Sequence, residues 1–98
     1  MMIRRFLVYA TTAVLISALP ASAACYAEYR AQQSNPVRFH VGVAQVSDGA
    51  CGNIAAAANE LSARLRQNGW TLVNVLSTFG PEGLGSRQGN AGQYYLRY

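Results

Sequence analysis

The chain has 98 residues, of which 51% are hydrophobic and 12% charged, so it is one small domain with enough apolar material to form a core and too little charge to be a disordered polyelectrolyte. Its formal charge of +4 rests on arginine alone. Two of those arginines, Arg4 and Arg5, stand in a leading segment, and residues 24–98 hold six arginines against Glu28, Asp48, Glu60 and Glu82, a spread and nearly balanced set that excludes a nucleic-acid footprint.

Residues 1–23 have the three-part pattern of a secretory signal. Arg4 and Arg5 give a positive start, Phe6 to Leu19 is an apolar run, and Pro20 leads into Ala21-Ser22-Ala23, a small-residue cleavage site. The run is shorter than the roughly 20 apolar residues a membrane span needs, so cleavage near Ala23 and a periplasmic or secreted domain over 24–98, with no transmembrane segment in the mature chain, are expected. A lipidated Cys25 would call for a leucine-like residue three positions earlier, where Ser22 stands. In an oxidising compartment Cys25 and Cys51 are therefore expected to form a disulfide. Together with His40 they fall short of the four ligands of a zinc site, and neither a metal nor another cofactor is expected.

Ala27, Tyr29 and Ala31 alternate with Glu28 and Arg30, and Val37, Phe39, Val41 and Val43 alternate with Arg38, His40 and Gly42. Both are period-two strand patterns, and Ser34-Asn35-Pro36 between them is turn chemistry. Placing both apolar sets on one face requires a three-residue loop that sets Gln33 opposite Val37, Ala31 opposite Phe39 and Tyr29 opposite Val41. That register puts His40 on the polar face, opposite Arg30.

From Asn53 to Asn68 the period lengthens. Ile54, Ala57, Ala58, Leu61 and Leu65 form one helical stripe, Asn53 is a candidate N-cap, and Asn68-Gly69 is a left-handed stop. Trp70 to Leu76 reads as a strand with apolar residues on both faces, and Trp70 as a core residue whose indole N–H needs a partner. Gly80 to Gly92 reads as a glycine-rich loop, either functional or mobile. Gln93 to Tyr98 reads as a closing strand. The expected fold is α+β: a four-stranded, mainly antiparallel sheet in the order β-β-α-β-β, with one helix on one face and a Cys25 to Cys51 bridge.

The run from helix to Asn68-Gly69-Trp70-Thr71-Leu72-Val73, then a glycine-rich gap and Tyr94-Tyr95-Leu96-Arg97, resembles small bacterial families of unknown function with a Gly-Trp-Glu-Leu-Val strand after a helix and a Tyr/Leu-Lys/Arg strand at the end. The likeness covers about Asn53 to Tyr98 and departs at Thr71, where the family has Glu. It implies a helix packed on an antiparallel sheet and brings no catalytic residues with it.

No serine stands in a Gly-x-Ser-x-Gly turn, and Gly80 to Gly92 lacks both the P-loop and the dinucleotide pattern. The leading expectation is a non-catalytic binding or accessory module for an envelope or periplasmic partner. Its candidate surface comprises Tyr94, Tyr95, Arg87 and Glu82, with Tyr26, Tyr29 and Tyr98 adding to the aromatic set. Two alternatives stand beside it: a small hydrolase using His40 with Glu28, and an oligomeric structural protein that covers the second face of the Trp70 strand with a copy of itself.

Overall fold

The computed structural model describes residues 24–98, so the signal and its cleavage site lie outside the described residues. Three strands make one antiparallel sheet: β1 (Cys25–Gln33), β2 (Arg38–Val46) and β3 (Thr71–Phe79), in the order β2-β1-β3. Two helices, α1 (Ile54–Arg66) and α2 (Leu84–Ala91), complete an α+β fold, and Cys25 is bonded to Cys51 with a Cα–Cα distance of 5.6 Å. Closing a loop 26 residues apart stabilises the fold by on the order of 3 kcal/mol through the entropy it removes from the unfolded chain. No described helix is long and apolar enough to cross a membrane.

α1 follows its sequence signals closely. The Asn53 side chain accepts a hydrogen bond from Ala56 N at 3.0 Å, Gly69 takes φ 83°, and Trp70 N donates to Leu65 O at 3.0 Å, which closes the last turn. Ala57, Leu61 and Leu65 are buried against the sheet's inner face, where Ala27, Tyr29 and Ala31 also point, and Ile54 at the head of the stripe stays exposed. The alanines let the helix approach the sheet closely.

The hairpin departs from the expected register by one residue. Gln33 pairs with Arg38, not with Val37, so the turn Ser34–Val37 has four residues, and Asn35 adopts φ 62°, a left-handed conformation that asparagine tolerates. Every side chain of β2 is thereby turned over. Ala31 faces His40, Tyr29 faces Gly42 and Ala27 faces Ala44, while Phe39 and Val41 go to the outer face with Gln32 and Arg30. The physical reason is volume. A Cβ on Gly42 would lie 2.5 Å from Tyr29 Cζ, so the Tyr29 ring fills the place a side chain would take. Val41 in that position would exclude the ring, whereas glycine admits it.

β3 is double-sided in sequence because two bulges shift its alternation. Against β1, Leu72 pairs with Ala31, Asn74 with Arg30, Val75 with Tyr29 and Ser77 with Glu28, leaving Val73 and Leu76 as extra residues. Leu72 and Val75 therefore both reach the inner core, while Val73 and Leu76 are exposed.

The expected fourth strand is absent as a strand. Residues 93–98 contribute a single parallel bridge, Tyr95 to Val43, with Leu96 N donating to Val43 O at 2.8 Å. Gly92 at φ 53° and Leu96 at φ 56° turn the backbone on either side of that bridge, which ends any ladder. The stretch Gly80 to Gly92 is also not a loop: a 3-10 turn, Pro81–Gly83, runs into α2. α2 lies over the outer face, where Arg87 contacts Glu28 and Phe79. The chain then crosses the β2 edge and returns to the inner face through Tyr94 and Tyr98.

Candidate functional site

The inner face beneath the C-terminal tail is an aromatic box around His40. Its ring is 7% exposed, stacks on Tyr94 at 3.7 Å between centroids, meets the Trp70 ring edge-on at 4.2 Å, and its Nε2 is hydrogen-bonded to Tyr29 Oη at 3.0 Å. Trp70 Nε1 donates to Tyr98 Oη at 3.1 Å, which supplies the partner its indole requires. Burial, helped by the charge of Arg97, lowers the His40 pKa to about 4, and burial raises that of Tyr29, so both rings are neutral at ordinary pH. His40 Nδ1 has no hydrogen-bond partner among the described residues. The box fastens the tail to the sheet.

This placement corrects the expectation of a surface histidine beside Arg30. It also separates His40 from Glu28, because Glu28 pairs with Val43 on the outer face and its carboxylate lies 3.4 Å from Arg87 Nε, an ion pair not aligned as a hydrogen bond. The sheet itself stands between the histidine and the carboxylate. A dyad of the two has no geometry to act through.

The four residues singled out for a binding surface are likewise divided. Tyr94 is committed to the stack on His40, while Tyr95 is held by its backbone through the bridge with Val43. Arg87 is held three ways, by Glu28, by Gly83 O at 2.9 Å and by the Phe79 ring 3.9 Å from its Cζ. Glu82 is exposed beside Gly80, at the end of the sheet where Phe79 pairs with Tyr26.

The surface left uncommitted is at the other end of the outer face. α2 covers Glu28 and Phe79 but reaches no farther than Asn90 toward the hairpin, and beyond it a groove of about 450 Å³ opens over β1. Arg30 and Gln32 form its floor, Phe39 and Val41 of β2 one side and Val73 of β3 the other, and Asn90 of α2 also lines it. Phe39 is 69% exposed, as is Val37 in the adjoining turn, and Val73 is 48% exposed. Arg30 is positioned by donating from Nε to Asn74 Oδ1 at 3.2 Å, which leaves its terminal nitrogens toward solvent. A second cavity, between α1 and the tail, is walled by groups already satisfied within the protein: Glu60 binds Ser47 and Arg64, and Arg64 binds Gln45 O and Tyr98 O.

Charge is segregated along the strands. Glu28 is paired with Arg87 and Glu60 with Arg64, so the acids left over are Asp48 and Glu82, both at the Cys25 and Phe79 end. Arg30, Arg38 and Arg66, none in an ion pair among the described residues, sit toward the hairpin end, where α1 also terminates, while Arg97, also without an ion pair, lies by the tail rings of Tyr94 and Tyr98. Sequence alternation missed this site because Phe39 and Val41 look like core residues in a period-two reading. The signal that could have found it is Gly42, the one β2 position small enough to face Tyr29.

No protein-family model, curated protein or solved structure matches the chain.

Proposed function

We propose that the chain is an exported, non-catalytic binding module whose ligand surface is the open half of the outer face, and that it takes amphiphiles with an apolar body and an anionic end. The observation that carries the reading is Phe39, an aromatic side chain on a strand, 69% exposed, beside a groove that α2 stops short of covering. Apolar side chains gathered around a concavity and next to a fixed cation are the usual make-up of a ligand site. Phe39, Val41 and Val73 offer the apolar contact, Arg30 the charge, and Gln32 and Asn90 neutral hydrogen-bonding groups. Export is supported by the signal-like residues 1–23 and by the Cys25 to Cys51 disulfide.

Decanoate, kept below its micellar concentration, is a suitable probe. Titration should give saturable amide shifts at Arg30, Phe39, Val41 and Val73, and Phe39→Ala should weaken binding about tenfold, which corresponds to 1.4 kcal/mol of lost contact. Shifts confined to the His40 box or the tail, or an affinity indifferent to Phe39, would refute the reading.

A further inference from the structure

We propose that the hairpin end of the domain docks on an anionic lipid bilayer, with Val37 and Phe39 entering the headgroup boundary and Arg30, Arg38 and Arg66 meeting lipid phosphates. This rests on the reading of the open outer face as a ligand surface and names its partner.

Two independent features point to that occupant. The first is the charge asymmetry. Three of the four arginines free of ion pairs among the described residues, Arg30, Arg38 and Arg66, stand toward the end that carries the turn Ser34–Val37, the fourth, Arg97, lies by the tail rings of Tyr94 and Tyr98, and the unpaired acids Asp48 and Glu82 lie at the opposite end of the strands. A domain so polarised orients in the field of a negatively charged surface before it touches it. Guanidinium groups also suit phosphate, which they can engage through two parallel hydrogen bonds.

The second feature is the composition of the tip. Turn positions usually carry polar residues, yet the turn here ends in Val37, which with Phe39 at the start of β2 flanks Arg38; both are 69% exposed, and Val73 is exposed on the other side of the groove. A soluble polyanion would need the arginines but has no use for two projecting apolar side chains. A bilayer uses both, because the boundary region accepts an apolar tip while the arginines stay at phosphate depth. The groove behind Phe39 then opens toward the acyl chains.

The test is co-sedimentation of the disulfide-bonded protein, as recovered from its host's envelope fraction, with vesicles of phosphatidylethanolamine and phosphatidylglycerol, using phosphatidylcholine vesicles as the neutral control. Binding is expected to the anionic vesicles and to fall steeply with salt. Arg38→Gln should reduce the partition coefficient about fivefold at low salt, the loss expected for one basic residue near an anionic surface. The pair Val37→Ser with Phe39→Ser should reduce it at least about tenfold, in line with the apolar contact it removes. Ile54→Ser, an exposed apolar residue at the head of α1 and away from the hairpin, should leave it unchanged and serves as the control for generic stickiness.

Equal partition to neutral vesicles, or no partition at all, would overturn the proposal. So would binding to soluble polyphosphate that survives the Val37→Ser, Phe39→Ser change, since the partner would then be an anion in solution. A dimer abolished by Phe39→Ser, seen by light scattering, would assign the surface to a second copy and also defeat the proposal. Decanoate shifts without vesicle binding would leave the amphiphile reading standing while removing the membrane, and vesicle binding without decanoate shifts would support the membrane contact and remove the groove.

Discussion

The two faces of this sheet are cut from the same strands, and while β1 keeps its apolar residues inside and its charges outside, the hairpin half of β2 departs from that rule. The covered face of β2 carries His40, Gly42 and Ala44 before Val46, while the outer face carries Phe39 and Val41 at its open end and Val43, fully buried, farther along. The difference teaches that burial here follows fit before hydrophobicity. Gly42 makes room for Tyr29, Tyr29 holds His40, and His40 is the flat surface on which Tyr94 brings the tail home. Phe39 has no such partners, and its exposure is the feature that calls for a ligand.

Acid should break the covered face first. Because the folded His40 pKa of about 4 lies below its ordinary 6.5, the folded state prefers the neutral ring, so this contribution to stability is complete above about pH 6.5 and is lost progressively as pH falls toward 4. A gap of that size corresponds to about 3 kcal/mol. Urea midpoints measured across that window should fall accordingly, and His40→Phe should flatten the dependence there. An unchanged slope in His40→Phe would place the proton uptake elsewhere.

A smaller effect tests the fit itself. Gly42→Ala puts a methyl group into the Tyr29 ring, which is fully buried and tied to His40 through its hydroxyl, so the ring cannot swing aside freely. Overpacking of this kind costs roughly 1–3 kcal/mol, offset by up to about 1 kcal/mol from the reduced freedom of the unfolded chain. The expected net loss is about 1–2 kcal/mol by equilibrium unfolding, together with weaker fluorescence coupling between Trp70 and the tail tyrosines. A neutral or stabilised variant would mean that Tyr29 has another place to go.

The sequence carried α1 almost completely, because cap, stripe and stop are all local: Asn53, the Ala57-Leu61-Leu65 spacing and Gly69 each act within a few residues. The disulfide was legible from two cysteines and a signal-like leader. The hairpin was legible as two strands and not as a register, since β2 has apolar residues on both parities and only the contact of Tyr29 with Gly42 decides between them. β3 hid its faces behind two bulges, which no alternation pattern displays. α2 was not legible, because its glycines at 85 and 89 lower helix propensity and the segment is anchored by tertiary contacts of Arg87 and Asn90's neighbour Ala91. The open groove follows from that same register, and so was hidden with it.

The smallest stability effect carries the most functional weight. Phe39→Ser removes an aromatic side chain that is 69% exposed and that makes no hydrogen bond, so unfolding free energy should change by less than about 0.5 kcal/mol. β2 keeps its ladder to β1 through Gln32, which pairs with position 39 by backbone whatever side chain stands there. The same variant should lose about tenfold in decanoate affinity, because the groove wall it forms would be missing. A large loss of stability would instead show that Phe39 is covered in the folded protein, and since Val41 and Val73 are the nearest walls, the groove would then be closed in solution and the open face would be no ligand surface at all.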